Sequence, residues 1–107
     1  MIPESKTVLA KTTSNDLSLT LEEINKYNII LKTQNNSSSI IITLPTGNIK
    51  EGSEFKFIKQ GRGTVNFEVN NNTILSIGSN VEAGEIDIPS NKFVTFLYAD
   101  NNWYYNY

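Results

Sequence analysis

The chain predicts an all-β fold: an antiparallel β-sandwich, or a partly closed barrel, with at most one short helical turn. Three observations point there. Apolar residues recur at every second position in most runs, the period of a half-buried strand. Turn-forming residues punctuate the 107-residue chain roughly every ten positions, the spacing of a sandwich or barrel. Asn, Ser and Thr make up much of the polar share, and they favour turns and exposed strand faces over helix interiors.

Two regions follow, an N-terminal arm over residues 1–16 and a β-sandwich domain over 17–107. In the arm, Val8 and Leu9, with Ile2, are the large apolar groups, and Thr12-Thr13-Ser14-Asn15-Asp16 is a polar break. Such a segment is either a frayed terminus or an arm that docks on a neighbouring subunit through Val8 and Leu9. Leu17–Leu21 alternates as a short strand. Thr20 and Glu23 have the spacing of a capping box, which predicts a single helical turn over Leu21–Lys26. Tyr27–Thr33 reads as a strand, and Gln34–Ser39 as a polar loop short enough to join adjacent strands.

The stretch from Ile40 to Val69 organises the rest. Ile40–Thr43 is a β-branched run stopped by Leu44-Pro45, because proline donates no ladder hydrogen bond. Thr46-Gly47-Asn48 is turn chemistry, since Gly and Asn tolerate positive φ. Glu54–Lys59 and Thr64–Asn70 both alternate, and Gly61-Arg62-Gly63 lies between them. That pattern predicts a β-hairpin. Asn70–Asn72 turns into a strand over Thr73–Ile77, interrupted by Gly78-Ser79-Asn80. Gly84–Ile88 alternates, with Ile86 and Ile88 inward and Glu85 and Asp87 outward, until Pro89. Lys92–Tyr98 is apolar on both faces, as a central strand is. Asp100–Asn102 turns the chain into Trp103–Tyr107, which pairs back as a C-terminal hairpin. The sequence shows no solenoid period and no internal linker.

Composition bounds the function. The chain is long enough for one domain that buries roughly two-thirds of its unfolded surface. A hydrophobic share of 38%, a charged share of 19% and a formal charge of −2 give no basic field for phosphate, so nucleic acid is not expected as a partner. With no cysteine and no histidine, disulfides, thiolate nucleophiles and imidazole general bases are excluded. No stretch has the apolar length of a signal peptide or membrane span, so neither ordinary secretion nor membrane insertion is expected.

The search for chemistry finds scattered groups. Glu22, Glu23, Glu51, Glu54, Glu68, Glu82, Glu85, Asp87 and Asp100 fall on the polar phase of strands or in turns, unlike the facing pair a glycosidase needs. The Asn70–Asn72 and Asp100–Asn102 turns lack the acidic spacing of a calcium loop. Gly61-Arg62-Gly63 has no Lys, Ser/Thr or helix placed to hold phosphate. No catalytic, metal or cofactor residues are therefore expected. The aromatic C-terminus stands out: an extended strand puts Trp103, Tyr105 and Tyr107 on one face and Tyr104 on the other, beside Asn102 and Asn106. Such rings serve as core, as a subunit interface or as a platform for a sugar ring.

Leu19-Thr20-Leu21-Glu22-Glu23, the strand ending Ile42-Thr43-Leu44-Pro45, Gly52 and the strand Phe55-Lys56-Phe57-Ile58 follow one another in order. Gly61-Arg62-Gly63-Thr64-Val65, then Val94-Thr95-Phe96-Leu97-Tyr98 and Trp103, complete the series. Over roughly residues 17–107 this resembles a β-module of bacteriophage tail fibres, spikes and baseplates. The Asn/Lys/Ile-rich composition suits a prophage of a low-GC Gram-positive host. The resemblance implies a non-enzymatic virion component, a homotrimer around a three-fold axis, assembled in the host cytoplasm without an export signal. Its partners would be other copies of itself, other tail proteins and a host surface glycan. It places the arm 1–16 at a subunit contact. A free-standing carbohydrate-binding module using Tyr104, or the Trp103/Tyr105/Tyr107 face, is the alternative.

Overall fold

A computed structural model describes residues 6–35, 37–70, 72–78, 85, 86, 88 and 92–106. In chain order the elements are β1 (Thr7–Thr13), β2 (Leu17–Ser18), α1 (Leu21–Lys26), β3 (Tyr27–Thr33), β4 (Ile40–Thr43), β5 (Glu54–Lys59) and β6 (Val65–Val69). β7 (Asn72–Ile77), β8 (Glu85–Ile86), β9 (Val94–Ala99) and β10 (Asn102–Asn106) follow. They form two five-stranded sheets, ordered β1-β3-β5-β9-β10 and β2-β4-β6-β7-β8. Each sheet is open, so the arrangement is a sandwich and not a closed barrel.

The sandwich is mixed, which corrects the antiparallel expectation. Strands β1–β3, β3–β5, β2–β4, β4–β6 and β7–β8 pair in parallel, and only β5–β9, β9–β10 and β6–β7 pair antiparallel. The cause is the path of the chain. From β1 to β6 successive strands alternate between the two sheets, so a strand's neighbour arrives one winding later and runs the same way. Thr7 lies beside Tyr27, Leu17 beside Ile42 and Ile29 beside Phe55, so one winding takes 20 to 26 residues. The coil is a geometric repeat with no repeat in sequence.

The hairpin expected around Gly61-Arg62-Gly63 is therefore overturned. β5 and β6 lie in opposite sheets, and the glycine loop arches between them. Gln60 N–H donates to Thr33 C=O (2.9 Å) on the first sheet, while Thr64 C=O accepts from Ile40 N–H (2.9 Å) on the second. A hairpin would set the inward phenylalanines of both strands side by side on one sheet. The arch makes them face each other: Phe67 meets Phe57 edge-on at 4.9 Å and lies 6.0 Å from Phe55. β3 and β4 likewise lie in different sheets, so the loop expected over Gln34–Ser39 does not join adjacent strands.

Other expectations hold. Helix α1 spans Leu21–Lys26, with Thr20 as N-cap and the full capping box: Glu23 N–H donates to Thr20 Oγ1 (3.1 Å) and Thr20 N–H to Glu23 Oε1 (3.0 Å). Its Ile24 is fully buried. β3 has the expected bounds, and β4 stops before Pro45. Gly47, at φ +111°, takes up the turn that follows. The C-terminal hairpin forms, its two-residue loop Asp100-Asn101 having both φ positive (51° and 64°), as a type I′ turn requires. Ile86 and Ile88 are half-buried against the core. The expectations for Ile2, Asn36, Asn71, Ser79, Asn80, Glu82, Gly84, Asp87, Pro89 and Tyr107, and for the Glu85 side chain, lie outside the described residues.

The core fills the space between the sheets. Ile29, Leu31, Phe55, Phe57, Val94 and Phe96 enter from the first sheet, and Ile40, Ile42, Val65, Phe67, Leu75 and Ile77 from the second. Phe96 stacks on Phe55 at 4.6 Å and touches Phe67 at 4.6 Å. β9 lies inside the sheet, paired with β5 and β10, but no described element covers the sheet's outer face, so its second apolar phase is left facing outward.

Candidate functional site

The outer faces of the two sheets differ in chemistry. On the second sheet, Ser18, Thr43, Glu68 and Thr73 form one cross-strand row. Asn66 and Ser76 lie opposite each other, the Ser76 hydroxyl donating to Asn66 Oδ1 at 2.7 Å. That surface is mainly polar, and it also carries Ile41 opposite Asn66 and the exposed Ile74.

The first sheet's outer face carries an exposed apolar side chain on four of its five strands, and β5 adds the half-buried Ile58. Val8, Ile30, Leu97 and Tyr104 are all exposed, Val8 and Tyr104 by 58% and 51%. Register explains their grouping. Glu54, Leu97 and Tyr104 share one cross-strand row, and Ala10, Ile30, Lys56, Thr95 and Asn106 share the next. Lys56 reaches Glu54 at 3.9 Å across an exposed surface, a pair worth little in water. A shallow depression of about 280 Å³ opens here, lined by Glu54, Thr95, Leu97, Tyr104, Tyr105 and Asn106.

The C-terminal rings separate as their alternation requires. Tyr104 faces outward beside Leu97. Trp103 and Tyr105 take the inward phase, yet they differ in burial. Trp103 is half-buried, its indole edge-on to Phe55 at 5.5 Å and to Tyr98 at 5.2 Å. Tyr105 keeps 47% of its surface exposed, with its ring 6.2 Å from Phe96. The two rings therefore do not form one flat exposed platform.

Val8 and Leu9 belong to β1, the edge strand of the first sheet. Leu9 packs against the core beside Ile29, and Val8 faces out. Lys11, also on the inward phase, ion-pairs with Glu23 of α1. Partial burial alone would raise the Glu23 carboxyl. Hydrogen bonds from Lys11 and from the Thr20 backbone and side chain, with the Lys11 charge, outweigh it and hold the group below its ordinary value of 4.5.

The remaining acids do structural work where they bond. Asp16 Oδ1 accepts from Ile41 N–H (2.8 Å) and Glu51 Oε1 from Asp100 N–H (2.8 Å). Among the described residues no group of three or more Asp or Glu side chains is placed to hold a metal ion. Sequence reasoning singled out Tyr104 and missed Leu97 beside it and Ile30 further across the same face. The signal lay in the runs Ile29-Ile30-Leu31 and Phe96-Leu97-Tyr98, which leave an apolar side chain on the outer phase. Comparison with protein-family models, with curated proteins and with solved structures finds no match for this chain.

Proposed function

We propose that this chain is a non-enzymatic structural or attachment protein of a bacteriophage or prophage tail. It forms a homotrimer, needs no cofactor and meets other tail proteins, with a host surface glycan as a further contact. The observation that carries this reading is the first sheet's outer face: Val8, Ile30, Leu97 and Tyr104 exposed on a broad, open surface. Exposed apolar side chains grouped on one face mark interaction surfaces, and a small domain gains stability by covering them. The order of motifs from Leu19 to Trp103 supports placing that surface in a tail module. Native mass measurement tests the assembly: a copy number divisible by three is expected, with Leu97→Glu dissociating the three-fold contact. One or two copies at all concentrations overturn it.

The depression beside Tyr104 favours a second reading, a carbohydrate-binding module. It joins a ring face to an amide and a carboxylate, Asn106 and Glu54, the groups that hold a sugar's apolar face and its hydroxyls. Saturable glycan binding that Tyr104→Ala abolishes, with the unfolding transition unchanged, is expected on this reading. Binding that survives the substitution excludes the site.

A further inference from the structure

The two sheets have four edges, and three of them are guarded among the described residues. β2 and β8 are two residues long, too short to template another strand. β1 carries an inward-pointing charge, Lys11, held by Glu23, which a paired neighbour would have to bury. β10 has none of these devices. Its five residues, Asn102-Trp103-Tyr104-Tyr105-Asn106, include no charge and no proline, and no described strand pairs with its outer side.

The direction of its backbone groups follows from β9. Tyr98 N–H donates to Ser53 C=O, and Tyr98 C=O accepts from Gly52 N–H, both at 2.8 Å. Both groups of Tyr98 thus point away from β10, and its cross-strand partner is Trp103. Tyr98–Trp103 is therefore a non-hydrogen-bonded pair. Antiparallel ladders alternate, so Trp103 and Tyr105 aim their N–H and C=O groups at the free edge, while Tyr104 aims its own at β9.

The strand's sequence is also self-complementary. Reversed about Tyr104, Asn-Trp-Tyr-Tyr-Asn sets Asn against Asn at both ends, Trp103 against Tyr105, and Tyr104 against itself. We propose that β10 is the contact strand of a two-fold dimer of this chain: the Asn102–Asn106 strands of two copies pair antiparallel about Tyr104 and join their first sheets into one. In that register Trp103 and the partner's Tyr105 form a hydrogen-bonded pair, as do Tyr105 and the partner's Trp103. All the outward-aimed groups of both residues are satisfied. The exposed Tyr105 ring is covered by the partner's indole, an aromatic cross-strand pair. The interface is isologous, the same patch on each copy.

This contact is independent of the sheet-face trimer. If both exist the particle holds six copies, and if the edge acts alone it holds two. Two experiments on the whole chain test it. By native mass the wild type contains an even number of copies, and Tyr105→Pro halves that number. Proline there removes an N–H aimed at the free edge and none that bonds to β9, together with the ring that the partner's indole would cover. A wild type found as one or three copies overturns the proposal. The second experiment uses the chain's lack of cysteine. Facing residues of a non-hydrogen-bonded pair lie close enough for a disulfide, so Tyr104→Cys is expected to give a covalent dimer with oxidised glutathione. Asn102→Cys or Asn106→Cys alone places its thiols about 13 Å apart along the strands, so each should cross-link at least about tenfold more slowly. An equal mixture of those two variants should cross-link as readily as Tyr104→Cys. Equal rates for all three single variants, or no cross-linking by Tyr104→Cys, overturn the register and the dimer with it.

Discussion

The hydroxyl of Thr33 is buried at the end of β3 with no hydrogen-bond partner among the described residues. A desolvated hydroxyl left unpaired costs about 1 to 3 kcal/mol, and valine has nearly the same shape and strand preference. Thr33→Val is expected to raise unfolding stability by about 1 kcal/mol, measured as a higher urea midpoint at unchanged slope. Glu23 gives the opposite case, a polar group with every partner in place. Its carboxyl is lowered in the folded chain, so it binds protons more weakly there than when unfolded. Its contribution is complete above the unfolded value near 4.5 and is lost as pH falls below that toward the lowered folded value. Glu23→Gln should flatten that acid limb of a stability–pH curve and leave the neutral plateau lower. The Thr20–Glu23 box was legible because its spacing is local. The Lys11 contact was not, since it exists only once the first winding has closed.

At the scale of elements, alternation located several strands, because it reports which side chains are buried, and the Ile-Ile-Leu run located β3. It is silent on which strand lies alongside. That is why two alternating runs around a glycine loop read as a hairpin when they form an arch. The unbroken apolar runs Ile29-Ile30-Leu31 and Ile40-Ile41-Ile42 did carry a trace of parallel pairing, whose strands tend to be apolar on both phases. β7 shows how register adjusts locally. Phe67 pairs with Leu75 and Glu68 with Thr73, so Ile74 is squeezed out as a bulge and faces solvent. The hairpin that presents Tyr104 depends on Asn101 at φ +64°, a conformation that asparagine tolerates and alanine does not. Asn101→Ala is expected to cost about 1 kcal/mol while Asn101→Gly stays near neutral, a contrast readable in thermal midpoints.

At the scale of the whole molecule, one aromatic cluster ties the sheets together. Phe67 on β6 touches Phe55, Phe57 and Phe96 across the sandwich. Phe67→Ala should therefore cost about 3 to 5 kcal/mol, a large share of a domain's marginal stability, read as a lower urea midpoint followed by circular dichroism. Pairings that wait for a winding of 20 to 26 residues also place this chain among slow folders. The direction of the strands has a mechanical consequence. β10 runs antiparallel to β9, which runs antiparallel to β5, and β5 runs with β3 and β1. Asn106 lies in the cross-strand row of Ala10, three residues along β1 from Thr7 and four strands away. Tension applied between Thr7 and Asn106 therefore pulls mainly across the strands, opening the edge ladders bond by bond where a pull along the strands would strain whole ladders at once.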